Sequence, residues 1–182
     1  MRWTTPLSGG KTLLLVEEAR VEDARGILAL HLQVLSESRY FITEPHEFSG
    51  SVDQKARRIA ELDRASNSAF LVAKCDGRIL GYVTVQGGHL RRMRHTGKLE
   101  IMVVADARGT GVGNALMQAI LDWATRNPHL LKLGLNVFTD NERAIRLYER
   151  FGFREEGRRL REYRMDDGSY RDDVLMYRFV DD

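Results

Sequence analysis

The stretch Ala107-Arg108-Gly109-Thr110-Gly111-Val112-Gly113-Asn114 follows a branched apolar run, Leu99 to Val104, and opens a helical period through Leu116, Ile120 and Trp123. Glycines at 109, 111 and 113 strip side chains from one short loop. Backbone N–H groups can then converge on an anion, and the partial positive charge of a helix N-terminus favours the same ligand. Arg108 adds a full charge at the rim. The alternative is a plain strand-to-helix turn, for which one glycine suffices; three at alternate positions beside an arginine favour a phosphate. Spacing excludes two nucleotide classes. A Walker loop needs a glycine five positions before Gly10-Lys11-Thr12, where Thr5 stands with no strand before it. A dinucleotide fingerprint counted from Gly109 places its third glycine at Asn114.

What remains is Arg-x-x-Gly-x-Gly, at Arg108, Gly111 and Gly113, joined downstream by Leu133-x-Leu135-x-Val137-x-x-x-Asn141-x-x-Ala144-x-x-Leu147-Tyr148-Glu149-x-x-Gly152-Phe153. In order and spacing the two segments resemble the GNAT superfamily of acyl-CoA-dependent N-acetyltransferases. The resemblance runs from about Leu13 to Phe179 and includes a closing segment, Glu156-Gly157-Arg158 through Asp167-Gly168-x-Tyr170-x-Asp172. That ending is similar to bacterial members close to the ribosomal-protein, amino-acid and polyamine acetyltransferases. One departure is Ala105, where many relatives carry proline.

The resemblance implies acetyl-CoA as cosubstrate and no metal, with direct transfer to a primary amine in a ternary complex. Pyrophosphate is expected over Arg108, Gly109, Thr110, Gly111, Val112, Gly113 and Asn114, and backbone contacts to the pantetheine arm from Met102, Val103 and Val104. Tyr148 matches the tyrosine placed to protonate the departing sulfur; a phenol suits this because it is protonated at neutral pH. Outside that context it reads as a packed helical aromatic. Asn141 lies seven positions earlier, about two turns along the same helix face. It either bonds the pantetheine arm or caps the helix, and the two are compatible. Glu100 is flanked by Leu99 and Ile101 and so faces the opposite side of its strand. Burial in an apolar strand would alter its protonation and suit it as a base acting through water. It equally reads as a carboxylate that binds a cationic acceptor or reaches solvent. Asn136 stands near the acetyl carbonyl or mends splayed backbone, and His95 and His46 are further candidates. The acceptor, a small-molecule amine or a peptide N-terminus, is expected against 36–48 and the final hairpin with Glu162, Asp166, Asp167, Asp172 and Asp173. The competing functions are a non-catalytic acyl-CoA-binding module, which has no need of Tyr148, and an N-terminal acetyltransferase of a ribosomal protein.

The chain has 182 residues, 43% hydrophobic and 30% charged, which fits one domain with a real core. A balance of 28 basic against 26 acidic side chains gives a net charge of +2 and no nucleic-acid footprint. The single cysteine, Cys75, suits a reducing cytoplasm, and no apolar run approaches the roughly 20 residues of a membrane span. Members of the family often form homodimers.

The elements that must position these residues follow from periodicity. Residues 1–11 carry Pro6, Gly9 and Gly10 without a period and are expected as a flexible leader to a single domain over 12–182. A strand at Leu13–Val16 is followed by helical patterns through Ala24–Leu35 and Val52–Leu62. The intervening loop holds Tyr40, Phe41 and Phe48 and serves as a packed lid or as a wall of a pocket. Strands at Phe70–Cys75 and Ile79–Gln86 flank the hairpin dipeptide Asp76-Gly77. The segment from Gly87 to Thr96, with three arginines, reads as a solvated tip or as an electropositive rim. After the loop come a helix ending before Pro128, a strand at Leu131–Val137, a helix at Asn141–Arg150 and a last hairpin. This is an α/β (α+β) layout with a mixed, mostly antiparallel sheet of about seven strands and about four helices. The resemblance adds that its fourth and fifth strands, Leu99–Val104 and Leu131–Val137, splay apart to admit pantetheine like an added strand.

Overall fold

The computed structural model describes residues 2–6, 13–37 and 40–181. Eight strands form one sheet among them: β1 (Arg2–Pro6), β2 (Leu13–Glu18), β3 (Ala69–Cys75), β4 (Arg78–Gly87), β5 (Thr96–Val103), β6 (Lys132–Phe138), β7 (Arg154–Arg164) and β8 (Tyr170–Phe179). Their order across the sheet is β1-β2-β3-β4-β5-β6-β8-β7. All pairs are antiparallel except β5 with β6. Four α-helices, α1 (Ala24–Glu37), α2 (Val52–Arg64), α3 (Val112–Arg126) and α4 (Glu142–Arg150), complete the α/β fold.

The expected leader is corrected at its start. Residues 2–6 form an edge strand in register with β2, from Arg2 opposite Glu17 to Pro6 opposite Leu13. Trp3 packs on the core and the Arg2 guanidinium bonds the Glu17 carboxylate at 3.0 Å. The signal was hidden because an edge strand needs only one paired side, and Pro6 is tolerated there. Residues 7–12 of the leader, with Gly9 and Gly10, lie outside the described residues, as do Ser38 and Arg39.

Local chemistry explains the rest. Asp76 and Gly77 both take positive φ, 47° and 79°, and join β3 to β4 in the tight turn their types predict. Ser51 caps α2, accepting from Gln54 N–H at 3.2 Å while the Gln54 side chain accepts from Ser51 N–H at 2.8 Å. Leu116, Met117 and Ile120 of α3 are wholly buried against one face of the sheet. α1 and α2 cover the other face, where Tyr82 meets His31.

One join in the sheet matters for function. β5 stays paired with β4 from Gly97 to Val103, and β6 with β8 from Lys132 to Phe138. Between β5 and β6, however, only Thr96, Gly97 and Lys98 pair with Lys132, Leu133 and Gly134. From Leu99 and Leu135 onward the two strands part, and a V-shaped slot opens in the middle of the sheet. These are the two strands expected to splay, renumbered by the added β1.

Candidate active site

The slot leaves one edge of β5 without a backbone partner, and the alternation of the ladder decides which groups face it. Val104 N–H bonds the Leu80 carbonyl oxygen at 3.1 Å, and its own carbonyl accepts from Ala107 N–H at 3.1 Å. Alternation turns the backbone of Met102 toward β4 as well, leaving Val103 to face β6. Of the three residues expected to meet the pantetheine arm, Val103 is the one whose backbone turns to the slot. Its carbonyl oxygen, deprived of a β6 partner, accepts from Arg108 Nε at 2.9 Å. Arg108 thus pins the end of β5 through Nε.

The loop beyond it has the form an anion needs. Gly109 and Gly111 have φ of 87° and 104°, which the left-handed turns there require. Thr110 Oγ1 donates to the Ala107 carbonyl at 2.8 Å and closes the turn. Gly111 is the N-cap of α3 and supplies no side-chain cap. The first helical bond is Ala115 N–H to the Gly111 carbonyl at 3.0 Å, which leaves the N–H groups of Val112, Gly113 and Asn114 without an acceptor inside the helix. A Cβ on Gly113 would stand 3.5 Å from Leu147 Cδ2, so this bare position lets α4 lie close along the helix start.

α4 brings cations that sequence reasoning missed. Arg143 Nη2 lies 3.4 Å from where a Cβ of Gly109 would sit, and Arg150 Nη2 donates to Asn114 Oδ1 at 3.1 Å. The signal was available: both arginines occupy the helix that carries Tyr148, but only the tertiary packing of α4 on α3 turns them to the loop. Arg143→Ala is expected to weaken acetyl-CoA binding about fivefold, with a shallower salt dependence, as titrations at low and high ionic strength will register.

Asn141 caps α4, its Oδ1 accepting from Ala144 N–H at 3.3 Å, so the capping reading holds and only its NH2 remains to reach a ligand. Tyr148 is 7% exposed, its ring centroid 6.0 Å from that of Phe153. Burial pushes its hydroxyl up to about 12. That hydroxyl has no hydrogen-bond partner among the described residues.

Glu100 departs from its expectation in one respect. Its side chain is 63% exposed, 3.6 Å from Lys98 Nζ, so the desolvation argued from its apolar neighbours is absent. It stands on the α1/α2 face of β5, opposite Thr84. That face holds a cluster the sequence did not announce, drawn from α1, α2 and β4. Lys55 Nζ donates to His31 Nδ1 at 3.0 Å, Tyr82 Oη lies 3.1 Å from the same nitrogen and donates to Met102 Sδ at 2.9 Å. Phe48 stacks on His31 at 4.6 Å. Burial, then the Lys55 charge, lowers His31 to about 4, while burial raises Tyr82 and lowers Lys55. Charge on Glu100 acts on both Tyr82 and Lys55.

His31 has a pH consequence. Its folded value lies below its unfolded one, so between about 6.5 and 4 the unfolded chain binds the proton that the fold refuses. Stability should fall on acidification through that window by roughly 2 kcal/mol and be flat above it. Urea unfolding at pH 7 and pH 4.5 will measure this, and His31→Phe should remove most of the difference.

The loop after α1 joins both walls of the slot. Phe48 sits on His31, while Tyr40 Oη donates to the Asp140 carbonyl at 3.3 Å beyond the end of β6. The packing reading of this loop is what these contacts show. Of the remaining candidates, His46 pairs with Glu44 at 3.1 Å and His95 offers its carbonyl to Leu131 and Lys132 N–H, away from the slot. Arg91, Arg92 and Arg94 are exposed at the solvated tip between β4 and β5. A half-open hollow of about 560 Å³ lies at the sheet's other edge, by Arg2, Glu17 and Asp63.

A sheet parted between parallel strands, with an uncapped helix start at its mouth, defines a class of proteins built to take a long phosphate-bearing cosubstrate edgewise. The model of the acetyltransferase (GNAT) family matches residues 32–153, more than half the chain, and the chain belongs to that family. It is 32% identical over 108 residues to the L-amino acid N-acetyltransferase AaaT of Escherichia coli, spanning 59% of this chain and 66% of that enzyme. It is 30% identical over 140 residues to the spermidine N(1)-acetyltransferase of the same species, spanning 76% of this chain and 71% of the relative. Among solved structures, an acetyltransferase of the GNAT family from Streptococcus pneumoniae superposes with a TM-score of 0.88 at 27% identity, covering 91% of this chain and 99% of that one. YncA of Salmonella typhimurium, solved with acetyl-CoA, shares the fold with a TM-score of 0.82 at 17% identity, covering 93% and 95%.

Proposed function

We propose that the chain is an acetyl-CoA-dependent N-acetyltransferase that passes the acetyl group to a primary amine by direct attack in a ternary complex. The observation that carries this reading is the glycine-rich start of α3, without a side-chain cap, which follows β5 directly beyond the point where β5 and β6 part. Pyrophosphate takes the N–H groups of Val112, Gly113 and Asn114, with Arg143 alongside. The pantetheine arm runs along Val103, whose backbone faces the slot as an added strand requires. Asn141 donates from its remaining NH2 to that arm.

The amine enters from the α1/α2 face. Glu100, hydrated and on that face, receives its proton through water, and the nitrogen lone pair attacks the thioester carbon. The C–S bond breaks, and Tyr148 donates its proton to the departing sulfur. A binding module would have no use for a buried phenol in this place. Lys98 lies 3.6 Å from Glu100, the Glu100 charge also reaches Lys55, and Arg58 donates to Gln86 on the same face at 2.6 Å. These cations beside Glu100 suit the carboxylate of an amino-acid acceptor, of the kind AaaT is named for.

Thiol release from acetyl-CoA across amino acids, polyamines and short peptides beginning with Ala, Ser or Met tests the reading. Release with at least one amine, fastest among amino acids, is expected. Binding of acetyl-CoA without release on any acceptor contradicts catalysis, and a preference for spermidine contradicts the acceptor class.

A further inference from the structure

Across the slot from Glu100 stands Asn136 on β6. Lys98 and Gly134 are opposite one another in the parallel register, so Glu100 and Asn136, two residues further on, share the α1/α2 face where the strands part. Asn136 is solvent-exposed, yet its amide is not free to turn. Its Nδ2 donates to Asp173 Oδ2 at 2.6 Å, and Asp173, on the neighbouring β8, is 2% exposed.

A carboxylate has only acceptors to offer, so the amide must present its NH2 to Asp173 and its carbonyl oxygen elsewhere. Asp173 is itself fixed from the far side. Arg159 Nη1 lies 3.9 Å from Oδ2, and Tyr163 stands close enough that, after burial, the Asp173 charge helps to raise its hydroxyl. Tyr163 is held in turn by an edge contact with Phe138, ring centroids 5.1 Å apart. β8 lies on one side of β6 and the slot on the other. With Nδ2 committed toward β8, Oδ1 is left on the slot side, with no partner among the described residues.

We propose that Asn136 Oδ1 accepts a hydrogen bond from the N–H of the incoming amine, and that Asp173 is the positioning residue that holds the amide in the orientation this requires. The inference rests on the acetyltransferase reading and deepens it. An amine gripped by one N–H keeps its lone pair directed at the thioester carbon, with Glu100 on the opposite wall to take a proton through water. Selection follows from the same geometry, since a neutral primary amine has one N–H for Oδ1 and a second proton to release, whereas a neutral secondary amine has only one.

A double-mutant cycle tests this, with three readouts: KM for the amine, kcat, and the Kd of acetyl-CoA by calorimetry. Asn136→Ala, at an exposed position, is expected to raise the amine KM about tenfold and leave the acetyl-CoA Kd unchanged. Asp173→Asn should raise it about fivefold alone and have no further effect in the Asn136→Ala background, because its action passes through that amide. Additive effects, or an amine KM unchanged in Asn136→Ala, overturn the proposal. Should Asp173→Asn fail to fold, the exposed Asn136→Ala and Asn136→Gln variants decide alone, the second retaining an oxygen but misplacing it. A wild-type protein that binds acetyl-CoA and acetylates no amine overturns the parent reading, and this one with it.

Discussion

Replacing Tyr148 with Phe is expected to lower kcat for acetyl transfer about a hundredfold and to leave the Kd of acetyl-CoA within about twofold. The ring is packed against Phe153 and 7% exposed, so phenylalanine fills the same space and the fold has no reason to respond. What is lost is one proton. The thiolate of CoA leaves poorly without it, and the hydroxyl, pushed by burial up to about 12, keeps that proton at neutral pH. The kcat profile of the wild type should therefore show no alkaline decline from this group below about pH 10. Steady-state rates of both proteins over pH 6–10, with calorimetric titration of the donor, separate the acid role from packing; an unchanged kcat contradicts it.

The second large effect is expected at Gly111. At φ 104° it occupies a conformation that a side chain strains, by about 1–2 kcal/mol, and it is the residue from which α3 starts. Gly111→Ala relieves that strain only by moving the first turn, which carries the three N–H groups of the phosphate cradle. The Kd of acetyl-CoA should rise tenfold or more, accompanied by a few degrees' loss in Tm. Gly113→Ala is the internal comparison. Its Cβ would meet Leu147 at an ordinary 3.5 Å, and its φ is not positive, so donor binding should change little. Equal effects at the two positions contradict a cradle made by the loop's backbone.

The contrast between these glycines shows what the sequence made legible. Local signals were readable because they act over a few residues: Asp76-Gly77 had to turn, Asn141 had to cap, and the run of glycines had to open α3. The motif around Tyr148 was legible for the same reason, since Asn141, Leu147 and Tyr148 share one helix. Roles that depend on which element packs on which were not. Arg108 turns back to Val103 because the slot leaves that carbonyl unpaired, and Arg143 takes its place beside the loop through the packing of α4. Glu100 looked buried between Leu99 and Ile101, but its own face of β5 is open there. The His31 cluster joins residues 24 and 51 positions apart, which no periodicity could bring together. Arg2–Pro6 escaped because an edge strand carries half the signal of an inner one.

The loop from Arg108 to Asn114 and the parted strands beside it are the proposed seat of the donor. Calorimetric titration of acetyl-CoA into the wild type and into Gly111→Ala and Arg143→Ala tests this without knowledge of the acceptor. One site per chain is expected, weakened tenfold or more by the glycine change and about fivefold by the arginine change, and weakened further by salt in the wild type. No binding, or binding that neither substitution alters, contradicts it.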